Sequence, residues 1–192
     1  MDRFGYAKTV DVATYERNKE AADAENKWIV NCINTGKLCV FTNTGKMHQI
    51  KVLDIPAGKF RDKGVPIDNL CNYDSAKEYI IQVLDVQTMI HSTLLFATAK
   101  SMLKVMDGDL LNASKRTVQA TKLSEDELVA VIVADWSEES EDKVVLQTKD
   151  GVFLKFPYAE IPKKKKSALG VRGMKLSKDD LITNVYVMDA QN

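Results

Sequence analysis

Hydrophobic residues enter this 192-residue chain in short bursts, without the i, i+3, i+4 spacing of an amphipathic helix. LCVFT (38–42) and VVLQT (144–148) are β-branched or aromatic runs. Each leads through Asn-Thr-Gly (43–45) or Lys-Asp-Gly (149–151), a tight-turn signal, into KMHQIKV (46–52) or VFLKF (152–156). The pattern predicts a β-hairpin in both places. A polar loop follows, closed by Gly-Val and an apolar residue. A last apolar run ends the unit: EYIIQVLDV (78–86), ELVAVIVADW (127–136) or DLITNVYVM (180–188). Only VATYERNKEAADAENK (12–27), short and polar, reads as helical or disordered.

The unit is repeated. Residues 37–70 lie over 143–176 without a gap, placing Gly45 on Gly151, Ile55-Pro56 on Ile161-Pro162, Gly64-Val65 on Gly170-Val171 and Leu70 on Leu176. A third copy, slightly shorter, spans 94–123. In it Phe96 answers Phe41, Lys104-Val105 answers Lys51-Val52, Val118 answers Val65 and Leu123 answers Leu70. Lys100 stands there at the turn-glycine position, and Thr117 where Gly64 and Gly170 stand. The opening MDRFGYAKTVD matches the back half of a fourth copy, with Gly5 at the turn, so the chain is expected to be part of a longer array. Units of this length hide their apolar faces against their neighbours, and four short strands per unit make a propeller-type blade. The expected architecture is all-β, with a partial blade at about 1–35 and full blades at about 36–90, 91–140 and 141–192.

Charge changes the picture. The 27 Lys and Arg balance 27 Asp and Glu, and a net charge of zero argues against a nucleic-acid partner. The distribution argues the other way: segments 46–70, 96–122 and 151–176 carry +2, +3 and +6, whereas 71–95 and 124–142 carry −2 and −8. The basic residues recur at matched places: Lys46, Lys51, Lys59, Arg61 and Lys63; then Lys100, Lys104, Lys115 and Arg116; then Lys155, Lys163, Lys164, Lys165, Lys166, Arg172 and Lys175. Stacked blades turn equivalent positions to the same side, so a positive stripe along one rim is expected. A duplex, with one negative charge per ~1.7 Å, complements such a stripe. Lysine loops that merely solvate a β-protein are the bland alternative, better suited to a single KKKK run than to three matched loops.

DRFGYAKTVD, FTNTGKMHQIKVLDIPAGKFRDKGVPIDN and LQTKDGVFLKFPYAEIPKKKKSALGVRGMKL together resemble the C-terminal DNA-wrapping domain of the A subunit of bacterial type IIA topoisomerases, DNA gyrase and topoisomerase IV. The likeness runs over nearly the whole chain. It implies a β-pinwheel, a propeller-like disc of four-stranded blades whose basic edge binds and bends duplex DNA. The loop groups matching the family's R-x-x-G-V element are Arg61 and Lys63, Lys115 and Arg116, and Lys164 to Lys166 with Arg172. The glycine- and arginine-rich box of gyrase proper has no counterpart, FRDKGVP being the nearest approach. The resemblance implies a cytoplasmic, nucleoid-associated parent enzyme. Its A and B subunits would hold the cleavage and ATPase sites with Mg and ATP, leaving no cofactor for this chain.

Residue chemistry adds little catalysis. Tyr6, Tyr15, Tyr73, Tyr79, Tyr158 and Tyr186 sit in strand or loop contexts and are expected to pack. His48 and His91 are expected in strands, with a phosphate contact as the alternative for His48, beside Lys46 and Lys51. Three cysteines (Cys32, Cys39, Cys71) include no C-x-x-C pair, and Cys39 beside Phe41 reads as a small buried hydrophobe. No run of 18 apolar residues suggests a membrane span, and no Gly-rich phosphate cradle is present. Glu138–Asp142 reads as a solvated hairpin, or otherwise as an acidic competitor for the rim. Trp28 and Trp136 are expected in the core. The expectation is DNA binding and bending without a catalytic site; the alternative is a propeller that docks proteins.

Overall fold

The computed structural model describes residues 1–191. In chain order these form β1 (Tyr6–Ala7), α1 (Val12–Arg17), α2 (Lys19–Glu25), β2 (Lys37–Thr42), β3 (Lys46–Lys51), β4 (Val65–Pro66), β5 (Ile80–Asp85) and α3 (Val86–Ile90). There follow β6 (Thr93–Thr98), β7 (Met102–Asp107), β8 (Thr117–Gln119), β9 (Leu128–Val133), β10 (Lys143–Thr148), β11 (Phe153–Pro157), β12 (Val171–Arg172) and β13 (Ile182–Met188). The polar stretch 12–27 is helical. Asp11 starts α1 by accepting the Thr14 N–H through its carboxylate at 2.8 Å.

Each predicted hairpin is present. β2 pairs with β3, β6 with β7 and β10 with β11, all antiparallel. Each turns through one residue of positive φ, Gly45 (79°), Ser101 (69°) or Gly151 (84°), whose N–H donates to Thr42, Thr98 or Thr148 at 3.0 Å. Ser101, not Lys100, therefore occupies the turn position of the middle unit. Thr42, Thr98 and Thr148 also mark the same register shift against the outgoing strands β5, β9 and β13. That fixes the alignment of the middle repeat: Phe96 answers Val40 and Lys104 answers His48, one to three residues from the match its sequence suggested.

The fourth strand of each blade comes from the next repeat. The sheet orders are β5-β2-β3-β8 and β12-β7-β6-β9, and β1 pairs with β4. The Gly-Val element of the outer repeats, and Thr117-Val118 in the middle one, thus cross onto the preceding blade: Val65 opposes Ala7, Val118 opposes Met47 and Val171 opposes Leu103. Blades in space are offset by one strand from repeats in sequence. The sheet β11-β10-β13 has three strands among the described residues.

Burial follows from stacking. In β2, Leu38 and Val40 enter the cluster shared with Ala7 of the first unit, while Cys39 and Phe41 enter the cluster shared with the third. In β6, Leu94 and Phe96 face back and Leu95 and Ala97 face forward. A strand sandwiched between neighbours must be apolar on both faces, which is why these runs do not alternate. Phe41 and Phe96 meet edge to face across that boundary, centroids 6.1 Å apart. Trp28 and Trp136 flank the core, half-buried.

Candidate nucleic-acid interface

Three loops carry most of the cations: 56–64, 112–116 and 162–170. Each follows a 3-10 turn (Val52–Asp54, Gly108–Leu111 or Tyr158–Glu160) and leaves its own blade to end as β4, β8 or β12 on the one before. Ile-Pro sets the exit of the first and third. The proline carbonyls accept from the preceding blade, Thr9 N–H to Pro56 at 3.1 Å and Val105 N–H to Pro162 at 3.0 Å, and the chain answers with Gly58 N–H to Thr9 and Lys164 N–H to Val105. Gly64 and Gly170 close these loops at φ 83° and 89°. A Cβ on either would stand 2.3 Å from a carbonyl oxygen of the preceding blade, that of Ala7 or Leu103, so only glycine fits.

Fifteen of the sixteen sequence-predicted cations reach solvent: Lys46, Lys51, Lys59, Arg61, Lys63, Lys100, Lys115, Arg116, Lys155, Lys163, Lys164, Lys165, Lys166, Arg172 and Lys175. At the boundary between the second and third blades, Lys51 from the end of β3 and Lys115 and Arg116 from the incoming loop line one open groove of about 380 Å³. Lys37, which the charge pattern did not single out, joins them there. At the next boundary Arg172 shares a groove of about 250 Å³ with Lys100 and Lys122, the latter also absent from the expected set. Lys163 is partly engaged, 2.9 Å from Asp107 and over the Trp136 ring, and Lys63 lies over Tyr6.

Lys104 is the exception. It is 1% exposed, in a strand buried on both faces, and cannot touch a ligand at the rim. Its Nζ donates to the carbonyls of Lys165 (3.1 Å), Lys166 (3.0 Å) and Ala168 (2.8 Å). Desolvation lowers its pKa to about 8.

The histidines also depart from expectation. His48 is buried, its Nε2 2.5 Å from Glu78 Oε1 and its Nδ1 2.9 Å from Thr117 Oγ1, which leaves no ring nitrogen for phosphate. His91 caps the end of α3 rather than lying in a strand. Burial pushes the Cys39 thiol up to about 12, as suits a core residue. Tyr158 is fully buried, and its hydroxyl donates to Ala134; Tyr79 and Tyr186 are about half exposed. Among the described residues no helix is long and apolar enough to cross a membrane.

A family model described as "DNA gyrase C-terminal domain, beta-propeller" matches residues 36–83, 92–135 and 142–187. The DNA gyrase A subunit of Lawsonia intracellularis is 28% identical over 200 residues, covering 98% of this chain and 24% of that protein. Its counterpart from Chlamydia muridarum is 32% identical over 157 residues, covering 79% and 18%. This chain therefore spans about a quarter or less of these relatives. Among solved structures, a C-terminal domain of DNA topoisomerase IV superposes with a TM-score of 0.83 at 23% identity, over 98% of this chain and 59% of the other. The E. coli ParC C-terminal domain gives 0.69 at 16%, over 97% and 77%.

Proposed function

This chain belongs to the DNA gyrase C-terminal domain family, and from that premise we propose that it binds and bends duplex DNA without sequence preference. On this reading it is the C-terminal module of an A subunit in an ATP-dependent type IIA topoisomerase. The observation that carries the proposal is the recurrence of exposed Lys- and Arg-rich loops at successive blade boundaries, each seated on the blade before it. Spacing set by the fold lets one duplex meet several loops in turn. Bending 20–30 base pairs costs about 1–6 kcal/mol, which added phosphate contacts offset.

Cleavage and ATP hydrolysis, with their Mg and ATP, fall on this reading to the B subunit and to the remainder of the A subunit. The duplex is the direct partner, and the setting is the bacterial nucleoid. Titration of the chain into a labelled duplex of about 30 base pairs tests the proposal. An affinity built on 6–10 phosphate contacts falls by about 10³–10⁵ between 50 and 200 mM salt. Failure to bind any duplex, at low salt as at high, would instead indicate a protein-docking platform.

A further inference from the structure

We propose that Lys104 is a positioning residue and not a DNA contact: a buried donor that fixes the conformation of the 162–170 loop, a role that Lys8 and Gln49 fill at the other two boundaries. This rests on the reading that the loops bind DNA. The three residues share a location and a chemistry. Lys8 follows Gly5, and Lys104 follows Ser101, by three residues; Lys104 is buried within β7, and Lys8 stands half-buried just past the end of β1. Lys8 Nζ donates to the carbonyls of Phe60 and Asp62, as Lys104 does to those of Lys165, Lys166 and Ala168. In the blade between them that place is His48, already engaged by Glu78 and Thr117. The adjacent Gln49 takes over, its Nε2 donating to Ala113 at 2.8 Å and to Lys115 at 2.5 Å. In every case the long donor comes from one blade and the carbonyls from the basic loop of the next repeat.

The physical effect is directional. Turning the carbonyls of residues 165, 166 and 168 inward onto one ammonium leaves the side chains of Lys163 to Lys166 in solvent. Four adjacent lysines repel one another, and beyond its anchor on Val105 (Val105 N–H to Pro162, Lys164 N–H to Val105) the loop has few backbone bonds: Ala168 N–H to Lys165, and Lys122 N–H to Lys166 from outside. Among the described residues no carboxylate lies within 4 Å of Lys104 Nζ, so its charge is balanced by carbonyl dipoles and by the Phe96 ring, whose centroid is 5.9 Å away. A buried ammonium without a counter-charge is a poor stabiliser, and methionine is a close match in shape. Stability and loop order are therefore separable.

Lys104→Met and Lys104→Gln in the full chain test this. Hydrogen exchange without DNA reads the loop: the Lys164 and Ala168 amides should exchange at least about tenfold faster in Lys104→Met, with β6 and the β7 amides other than Val105, which donates to Pro162, unchanged, and near the wild-type rate in Lys104→Gln. Affinity for the duplex should fall about tenfold in Lys104→Met and stay within about threefold in Lys104→Gln, because the donor matters and the charge does not. Equal losses in both variants, with the loop still protected and the salt slope lower by about 0.9, would make Lys104 a phosphate contact and overturn the proposal. Unchanged exchange in Lys104→Met would overturn it as well. Should that variant not fold, Gln49→Leu puts the same question to the 112–116 loop. If the wild type binds no duplex, the functional reading fails while the exchange data still decide the positioning role.

Discussion

Gly170→Ala and Gly151→Ala make a matched pair that isolates what strand exchange contributes to stability. Both residues sit near φ +85° (89° and 84°), so both variants carry the same left-handed backbone penalty, about 1–2 kcal/mol. Their surroundings differ. Around Gly151 nothing lies within 4 Å of an added Cβ, whereas at Gly170 the Cβ would stand 2.3 Å from Leu103 O and 2.8 Å from its carbon. Relief requires β12 to withdraw from β7 by about 1 Å, the shortfall from an ordinary van der Waals distance. That stretches the Val171–Leu103 pairing and the bonds from Gly173 N–H to Ser101 O (2.7 Å) and Met174 N–H to Ser101 Oγ (2.9 Å). Two weakened bonds at about 1 kcal/mol each bring the Gly170→Ala cost to about 3–4 kcal/mol. At about 3 °C per kcal/mol for a chain of this size, the melting point should fall by about 10 °C in Gly170→Ala and about 3–6 °C in Gly151→Ala, measured by circular dichroism. Equal shifts would show that the close crossing of β12 onto β7 is not a source of stability.

Two further outcomes follow from buried ionisable groups. Lys104 titrates near 8 when folded against 10.5 when unfolded, so between those values the unfolded chain binds more protons. Stability relative to Lys104→Met should therefore rise as pH goes from 7 to 10; a pH-independent difference in urea midpoints would show that the ammonium is not desolvated as described. Cys39, buried with its thiol pushed up to about 12, should resist alkylation at pH 8 until the chain unfolds, while half-buried Cys32 reacts first; early loss of the Cys39 thiol, followed by mass spectrometry, would contradict the packing.

The turn glycines and the repeat were legible because a positive φ and an apolar run leave marks in the sequence. Ser101 was not, since serine rarely adopts that backbone and Lys100 fell where the worn repeat put it. Strand exchange was also hidden: Val65, Val118 and Val171 pair with residues far back in the chain, and nothing in a two-residue strand names its partner. Charge showed where the loops lay but could not separate a loop lysine from a strand lysine. The available signal for Lys104 was its setting, Leu103-Lys104-Val105, in a strand apolar on both faces. Lys37 and Lys122 carried no mark of their own, because a groove between blades gathers side chains that no single repeat contains.

The most direct test of a shared DNA-binding rim is the salt dependence of duplex affinity, measured as loops are neutralised singly and together. Replacing Lys164, Lys165 and Lys166 by Gln should reduce the slope of log K against log salt by up to about 2.7, and replacing Arg61 and Lys63 by Gln by up to about 1.8, with additive effects in the combined variant. That result would mean that one duplex touches both loops. A slope that ignores either replacement, in variants that melt like the wild type, would contradict it.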